Sequence, residues 1–204
     1  GNTVDAAATA TLIGADLINN TVAANAVVAN DGTIQNIIGG TYTSATTADL
    51  AAAIEIGGVT VQATGDASLT TTTGDIVNTT VEGSTVVLTA GNNISNTAAE
   101  ALTTATLTAT AGILDASVVA GTTATLGAAL IADSSVFAGT DAALTAAQIA
   151  GTAVTALNDA VLTGAVLSAN AVSAGNDARL TGTVQVVGNT VDAAATATLI
   201  GADL

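Results

Sequence analysis

Short stretches in which apolar and polar residues alternate run along the whole chain. Clear examples are VTVQA at residues 59–63, STVVLTA at 84–90, ATLTATA at 105–111 and TVQVV at 183–187. Alternation with a period of two predicts β-strands that bury one face. Gly, Asn-Asp and Gly-Asp stand between these stretches, where corners need positive φ or side-chain-to-backbone hydrogen bonds. The pattern therefore predicts many short strands joined by tight corners.

The same residue types recur at every eighteenth position in several parts of the chain. NDAVLTGAV at residues 158–166 is followed by NDARLTGTV at 176–184, and the two differ only at their fourth and eighth letters. Other pairs at this spacing are Gly39/Gly57, Gly164/Gly182, Asp115/Asp133, Asn78/Asn96 and Glu82/Glu100. Such a spacing is too short for the common helical repeats and fits one coil of a β-solenoid. We predict an all-β, parallel β-solenoid (β-helix) with about 18 residues per coil, Val, Leu, Ile and Ala inward, and Thr, Ser, Asn and Asp outward.

Two Ala-rich segments also fit a capped helix. They are residues 45–56, with Asp49 near the start, and residues 140–159, with Asp141 in that place. The spacing of eighteen continues through the second segment and favours coils there. For residues 45–56 we also predict coils, with a helical excursion as the alternative on propensity grounds.

A much longer repeat encloses the short one. Residues 1–17 read GNTVDAAATATLIGADL, and residues 188–204 repeat these letters without a change, so that Gly188 corresponds to Gly1. We therefore predict that residues 1–187 form one full tandem repeat of roughly ten coils and that residues 188–204 begin the next identical repeat. We expect the sequence to be a stretch of a longer tandem-repeat array, in which Ile-Asn-Asn follows Leu204.

Composition narrows the kind of core and the kinds of partner. Half of the residues are apolar, yet Tyr42 and Phe137 are the only aromatic residues, and Pro, Cys, Met, Trp and His are absent. Such side chains suit a narrow rod with a thin aliphatic core better than a compact globule. Polar residues interrupt every apolar stretch, so we expect no membrane insertion. One Arg against sixteen acids excludes nucleic acid as a partner, because nothing could neutralise phosphates.

The same inventory disfavours catalysis. Without His, Cys or Lys the chain lacks the usual general bases and nucleophiles, and only paired carboxylates remain. We predict that the protein is not an enzyme, with no catalytic residue and no cofactor-binding residue. Arg179, the single basic residue, is expected to pair with Asp177 or with another neighbour.

Three aspartates are candidates for a repeated site. Asp141, Asp159 and Asp177 follow one another at the spacing of a coil, so they would stack about 5 Å apart at one corner of successive coils. A calcium ion coordinated by their oxygens would relieve their mutual repulsion. Alternatively, the three are solvated turn residues that accept hydrogen bonds from their own backbone. The second interpretation is favoured, and a calcium site is left open.

Threonines form a second candidate surface. Thr104, Thr106, Thr108 and Thr110 alternate with other residues in a TxTxTxT run. Flat threonine arrays occur on ice-binding solenoids, whereas an ordinary solvent-facing strand would show the same letters. Since a regular TxT does not recur on every coil, the ordinary strand is the favoured interpretation.

One segment resembles a known family. The run GDIVNTTVEGSTVVLTAGNNIS at residues 74–95 resembles the repeats of filamentous-haemagglutinin-type adhesins. The resemblance implies a right-handed parallel β-helix at a bacterial cell surface. The Thr/Ala/Gly/Asn-rich, Cys-free composition is also similar to that of surface-layer proteins and giant repeat adhesins.

These observations favour a structural function. We expect an extracellular or cell-surface repeat that builds a filament, sheath or stalk by end-to-end stacking of coils, with itself as partner and with side-by-side bundling of rods left open. The absence of Cys and the near absence of Lys and Arg fit an extracellular location. The alternative is the spacer region of a giant adhesin whose ligand-binding tip lies outside this stretch.

Overall fold

The computed structural model describes residues 1–203, which form β-strands and no helix. The strands belong to one sheet with parallel neighbours. They are β1 (Thr3–Thr11), β2 (Asp16–Ala29), β3 (Asn36–Ser44), β4 (Ala48–Ala52), β5 (Glu55–Ala63), β6 (Ala67–Thr71), β7 (Asp75–Val77), β8 (Thr80–Gly83), β9 (Val86–Ala90), β10 (Asn93–Ser95), β11 (Ala98–Ala101), β12 (Ala105–Ala109), β13 (Gly112–Leu114), β14 (Ser117–Ala120), β15 (Ala124–Ala132), β16 (Ser135–Ala138), β17 (Ala142–Ala150), β18 (Ala153–Ala156), β19 (Ala160–Ser168), β20 (Ala171–Ala174), β21 (Asp177–Val187), β22 (Thr190–Ala193) and β23 (Thr196–Ile200). The predicted parallel β-solenoid is confirmed.

The chain winds into about ten coils. Where each coil has three separate strands, β7, β8 and β9 form one coil and pair with β10, β11 and β12 of the next coil. These three strands define the sides of the rod, called here the first, second and third face. Each interior strand is hydrogen-bonded to a neighbour on both edges, and these bonds stabilise even a strand as short as β7.

Three ladders of inward side chains build the core, one from each face. The first face contributes Leu17, Ile37, Ile56, Ile76, Ile94, Ile113, Ile131, Ile149, Leu167 and Val186, the second Val22, Tyr42, Val61, Val81, Ala99, Val118, Val136, Val154 and Val172, and the third Leu50, Leu69, Leu88, Leu107, Leu126, Leu144, Leu162 and Leu180. All of these side chains are buried. Apart from Tyr42, aliphatic residues therefore fill the interior, as the composition predicts.

The corner between the first and second faces has one left-handed residue on each of ten coils. These residues are Asn19, Gly39, Gly58, Asn78, Asn96, Asp115, Asp133, Gly151, Ala169 and Gly188, with φ between 50° and 64°. Gly, Asn and Asp tolerate this conformation best, which explains why they recur there. Ala169 is the exception, since its β-carbon makes left-handed backbone unfavourable.

The uniform spacing of eighteen is wrong for part of the rod. Paired residues are separated by 17 to 21 positions: Thr9 pairs with Ala26, whereas Val27 pairs with Ala48. The early coils are longer because they place extra residues in corners. As a result, Gly39 is equivalent to Gly58 and not to Gly57.

The other pairs named from the sequence do stack. Glu82 pairs with Glu100 and Gly164 with Gly182, while Asn78/Asn96 and Asp115/Asp133 occupy the left-handed corner of successive coils. These pairs lie where successive corners are eighteen positions apart, so the spacing observed in the sequence applies to them.

The helical alternative for residues 45–56 is wrong. This segment forms β4 and the start of β5, and residues 140–159 form β17 and β18. In β4 the side chains of Ala48, Leu50 and Ala52 are buried and those between them are less so, as expected for a strand. Pairing with the coils on either side outweighs the helical propensity of alanine.

Candidate functional site

The two ends of the rod expose side chains that are buried everywhere else. Leu199 of β23 is 40% exposed, whereas Leu180, which pairs with it from the preceding coil, is fully buried. At the opposite end Val4 and Leu12 are partly buried. Within residues 1–203, β1 pairs only with β2, and β22 and β23 pair only with β20 and β21. Each end therefore presents one strand edge and the rim of the apolar core.

The two copies of the repeated segment occupy the same place in a coil. Val4 pairs with Val22 on the second face, and Val191, its identical counterpart, pairs with Val172 on the same face. Ten successive pairings lead from Val4 to Val191, through Val22, Tyr42, Val61, Val81, Ala99, Val118, Val136, Val154 and Val172. The long sequence repeat thus equals ten whole coils. Leu204, the last letter of the second copy, lies outside the described residues.

A ladder of asparagines lies inside the corner between the first and second faces, at both ends of the rod. At one end the backbone N–H and Nδ2 of Asn2 donate to Oδ1 of Asn20, at 3.0 and 3.3 Å. At the other end the backbone N–H and Nδ2 of Asn170 donate to Oδ1 of Asn189, at 3.0 and 2.9 Å. Asn189 also donates from Nδ2 to the carbonyl oxygen of Leu167.

The hydrogen bonds of this asparagine ladder are not predicted from the sequence: Asn2 and Asn20 are eighteen positions apart and fit the spacing, whereas Asn170 and Asn189 are nineteen apart and do not. Each of these asparagines follows a corner residue, and Asn20 and Asn170 are almost fully buried. The signal in the sequence is an Asn directly after a left-handed position, as in Asn19-Asn20 and Gly188-Asn189. Recognising it requires knowing where each coil turns.

The three candidate aspartates do stack at the corner between the second and third faces. Oδ1 of Asp141 accepts hydrogen bonds from Nδ2 of Asn158 (2.8 Å) and from the backbone N–H of Asp159 (3.2 Å). Oδ1 of Asp159 accepts the equivalent bonds from Asn176 (2.9 Å) and Asp177 (3.1 Å). Each carboxylate therefore binds the backbone of the next coil. The prediction that each carboxylate accepts hydrogen bonds from the backbone of its own turn is wrong, since the donors lie on the next coil.

N–H groups donate hydrogen bonds to the carboxylates of the aspartate ladder. Bonds from amide and backbone donors to a carboxylate are charge-assisted. The same pattern occurs at another corner, where Oδ1 of Asp75 accepts from Nδ2 of Asn92 and the backbone N–H of Asn93. Over residues 1–203 no three acidic side chains converge in a way that could hold a metal ion. The ladder thus acts as a link between coils.

One carboxylate has a clearly shifted pKa. In the corner after β2, Asp31 accepts from the backbone N–H of Thr33 at 3.0 Å and from its hydroxyl at 2.9 Å. These bonds, the backbone one first, lower the pKa of Asp31 below its ordinary value. The arrangement is a local turn on the surface of the rod.

The threonine run divides between a strand and its corners. Thr106 and Thr108 lie on the outer side of β12, and Thr104 and Thr110 flank that strand. A single column of outward threonines follows the third face, broken at Gly127: Thr70, Thr89, Thr108, Thr145, Thr163 and Thr181. The adjacent column contains Ser68, Val87, Thr106, Thr125, Ala143, Val161 and Arg179, so two threonines stand side by side only once. This is the surface of an ordinary strand ladder.

Arg179 contacts a threonine. Its Nε donates to the hydroxyl of Thr181 at 3.2 Å, so of the two predicted alternatives the pairing is with another neighbour and not with Asp177. Both residues lie in β21 two positions apart, so their side chains point to the same side of the strand.

Several apolar side chains break the polar surface near the second face. Leu102, Val119, Phe137 and Leu157 are all exposed, and Leu102 is 75% exposed. Leu102 and Val119 line an open groove of about 340 Å³ whose other walls include Glu82 and Glu100. The groove therefore combines apolar and acidic walls.

Comparison of the chain with protein-family models, with curated proteins and with solved structures finds no match. Residues 1–203 contain no helix long and apolar enough to cross a membrane.

Proposed function

We propose that this chain is an extracellular structural repeat that builds a filament, sheath or stalk by continuous stacking of solenoid coils. The observation that carries the proposal is the match between the sequence repeat and the coil. One full repeat corresponds to ten pairings from Val4 to Val191, so the second copy re-enters the coil where the first began.

A whole number of coils is what a continuous rod requires. If the repeat contained a fraction of a coil, each new copy would begin on a different face and its apolar positions would point to solvent. Here Val191 and Leu199 of the second copy lie above Val172 and Leu180, as required for another coil of the same kind. Stacked repeats also cover strand edges that would otherwise attract unrelated strands.

The surface composition supports a location outside the cell. The chain has no Cys, a single Arg and sixteen acidic residues. Chains without thiols suit oxidising surroundings, and a chain almost without Lys and Arg offers few sites to trypsin-like proteases. A strongly negative rod also resists non-specific side-by-side aggregation.

A spacer within a giant adhesin is the second candidate. The observation that favours it is the resemblance of residues 74–95 to filamentous-haemagglutinin-type repeats, since these residues form β7 to β10, where each coil has three separate strands. A spacer and a filament repeat require the same stacking and differ only in what is attached at the ends.

The test is the shape of a chain with two successive repeats, residues 1–187 followed by residues 1–204. Ten further coils at about 4.8 Å each would lengthen the rod by roughly 50 Å without widening it. Small-angle X-ray scattering measures both the maximum dimension and the cross-section. Two rods joined at a flexible hinge, with a broad distribution of end-to-end distances, would contradict the proposal.

A further inference from the structure

We infer that the edge formed by β20 and β21 is a docking surface for residues 1–12 of a second copy of this chain, and that residues 188–203 occupy this surface within the same molecule. The inference rests on the proposed function, because it identifies the contact through which one repeat joins the next. We call this surface the acceptor edge.

Sequence identity and register make the two occupants equivalent. On the acceptor edge Val172 pairs with Val191 and Leu180 pairs with Leu199. The residues at those places in the first copy are Val4 and Leu12, with identical neighbours on both sides. A second copy therefore offers the same side chains in the same order to the same acceptor residues.

Within residues 1–203, the edge of β1 that docking would use has no strand partner. β1 uses one of its edges to pair with β2, in the direction of the later coils. β22 and β23 use the opposite edge to pair with β20 and β21, in the direction of the earlier coils. The two copies thus show the two edges of the same segment in use, and one segment can form both sets of bonds at once because they lie on opposite sides of the strand.

The corner asparagine shows the same complementarity at the level of single atoms. In the second copy, Oδ1 of Asn189 accepts from Asn170 and its Nδ2 donates to Leu167. In the first copy, Asn2 instead donates from its backbone N–H and Nδ2 to Asn20. An Asn amide has one carbonyl oxygen and two N–H donors, so one residue can make all of these bonds together. Docking would extend the ladder without a break from Asn170 through Asn2 to Asn20.

Tethering favours binding of residues 188–203 at the acceptor edge, whereas burial of apolar surface favours binding of a second copy. Residues 188–203 belong to the same chain, which gives them an effective concentration on the order of millimolar at the acceptor edge. They leave Leu199 40% exposed, however, since only one coil packs against it. A second copy would bring its whole rod and cover this apolar rim. In the chain of residues 1–204 we therefore expect the tethered segment to hold the acceptor edge until its own docking is weakened.

A matched pair of substitutions in the chain of residues 1–204 tests the inference. Leu199→Asp places a charge on the inward side of the tethered segment and leaves residues 1–12 intact, whereas Leu12→Asp makes the same change in the incoming segment. Light scattering after size-exclusion chromatography at about 100 µM protein and about 1 M salt, where the Debye length is about 3 Å, measures the mass. For Leu199→Asp we expect a weight-average mass at least twice that of the 19.2 kDa chain. For Leu12→Asp and for the double variant we expect the mass of the monomer.

A second variant ensures that the acceptor edge is uncovered. Replacing residues 188–204 by a Gly-Ser sequence of equal length removes every inward side chain of the tethered segment, and we expect linear oligomers from it as well. If both this variant and Leu199→Asp stay monomeric, the acceptor edge does not bind a second copy. If the Leu12→Asp variant assembles equally well, the contact does not involve residues 1–12, which also overturns the inference. Either result leaves the two-repeat rod measurement to decide the proposed function separately.

Discussion

The two copies of the repeated segment have one sequence and two conformations. In the first copy, residues 3–11 form the unbroken strand β1. In the second copy the same letters form two strands, β22 and β23, with Ala194 and Ala195 at a corner between them. The corner lies where β1 skips two residues, Ala7 and Ala8, in its register with β2.

The neighbouring coil explains the difference. β1 packs on the long strand β2, which continues through its own turn. β22 and β23 pack on β20 and β21, which are separated by a corner, and the backbone N–H of Ala195 donates to the carbonyl oxygen of Asn176 there at 2.9 Å. Alternation is the same in both copies, since Val4 and Val191 both pack against the core. The sequence of the segment therefore sets which side chains are buried, and the adjacent coil sets how sharply the chain turns.

The largest expected effect distinguishes interior coils from the end coil. Leu162→Ala removes a fully buried side chain with coils on both sides, and we expect a loss of about 2–5 kcal/mol in the free energy of unfolding. Leu199→Ala, at the equivalent place in the last coil, should cost less than about 1 kcal/mol, because Leu199 is already 40% exposed. Urea unfolding followed by circular dichroism measures both. Equal losses would show that the end coil is packed like the interior.

The next effect compares the interior and the end of the aspartate ladder. Asp159→Ala removes the acceptor of two N–H donors, and we expect it to cost about 1–2 kcal/mol. Asp177→Ala should cost less, because Oδ1 of Asp177 accepts only from the backbone N–H of Thr196. Asp159→Asn is the control, since it retains an Oδ1 acceptor, and it should fall between Asp159→Ala and the unchanged protein. A larger loss for Asp177→Ala would contradict the ladder as a link between coils.

Metal removal tests the same ladder in another way. Because N–H donors already occupy Oδ1 of Asp141 and of Asp159, we expect a calcium chelator to leave the melting temperature unchanged. Thermal unfolding with and without the chelator, at constant ionic strength, is the measurement. A marked fall in melting temperature would restore the calcium interpretation of the stacked aspartates.

A smaller effect is expected at the left-handed corner. Ala169 has a φ of 54°, which its β-carbon makes unfavourable. Ala169→Gly removes this steric cost, and we expect it to stabilise the protein by up to about 1 kcal/mol. Gly188→Ala, at φ 63° on the next coil, should destabilise it by about the same amount. A β-carbon added at Gly188 would meet only the backbone nitrogen of Ala169, at 3.9 Å, which is an ordinary contact, so backbone conformation determines the sign. Thermal melts of both variants test this, and a stabilising Gly188→Ala would contradict a conformational cause.

The smallest effect at neutral pH is expected at Tyr42, which stands in the second-face ladder where most coils have Val. The phenol is buried and its hydroxyl has no hydrogen-bond partner among the described residues. Tyr42→Phe should therefore be neutral or stabilise by at most about 1 kcal/mol.

Tyr42 should also make the stability of the protein depend on pH in the alkaline range. Burial raises the pKa of Tyr42 above its ordinary value of 10.0, with the Asn20 side chain opposing part of the rise. An acid whose pKa is raised by folding contributes stability that is complete below the unfolded pKa and is lost as pH rises above it. Unfolding of the unchanged protein should become easier above pH 10.0, and Tyr42→Phe should remove this dependence. Since the chain has one Tyr, identical alkaline profiles would contradict the assignment.

Alternation and spacing were enough to predict the solenoid from sequence. The stretch at residues 158–184 shows the spacing most clearly because its coils repeat every eighteen positions and its Asn-Asp pairs form the aspartate ladder. The spacing fails around Gly39 and Gly57, where longer corners shift the register by one. Insertions in corners cannot be located from letters alone, since they change neither the alternation nor the composition.

The candidate junction was only partly predictable. Identity of residues 1–17 with residues 188–204 predicts a tandem repeat, but it does not say how many coils lie between them or which strand edges meet. Those facts depend on the register of every coil, to which corners of unequal length contribute. The asparagine ladder at Asn2 and Asn189 was missed for the same reason.

The most direct test of continuous stacking is fibre diffraction from oriented material that contains many successive repeats. Coils stacked along the axis predict a meridional reflection near 4.8 Å and a longer axial repeat of roughly 50 Å from about ten coils per copy. A 4.8 Å reflection on the equator, or its absence, would show that the strands do not stack along the rod. The repeats would then be separate units joined in series, and the account of a continuous solenoid would be wrong.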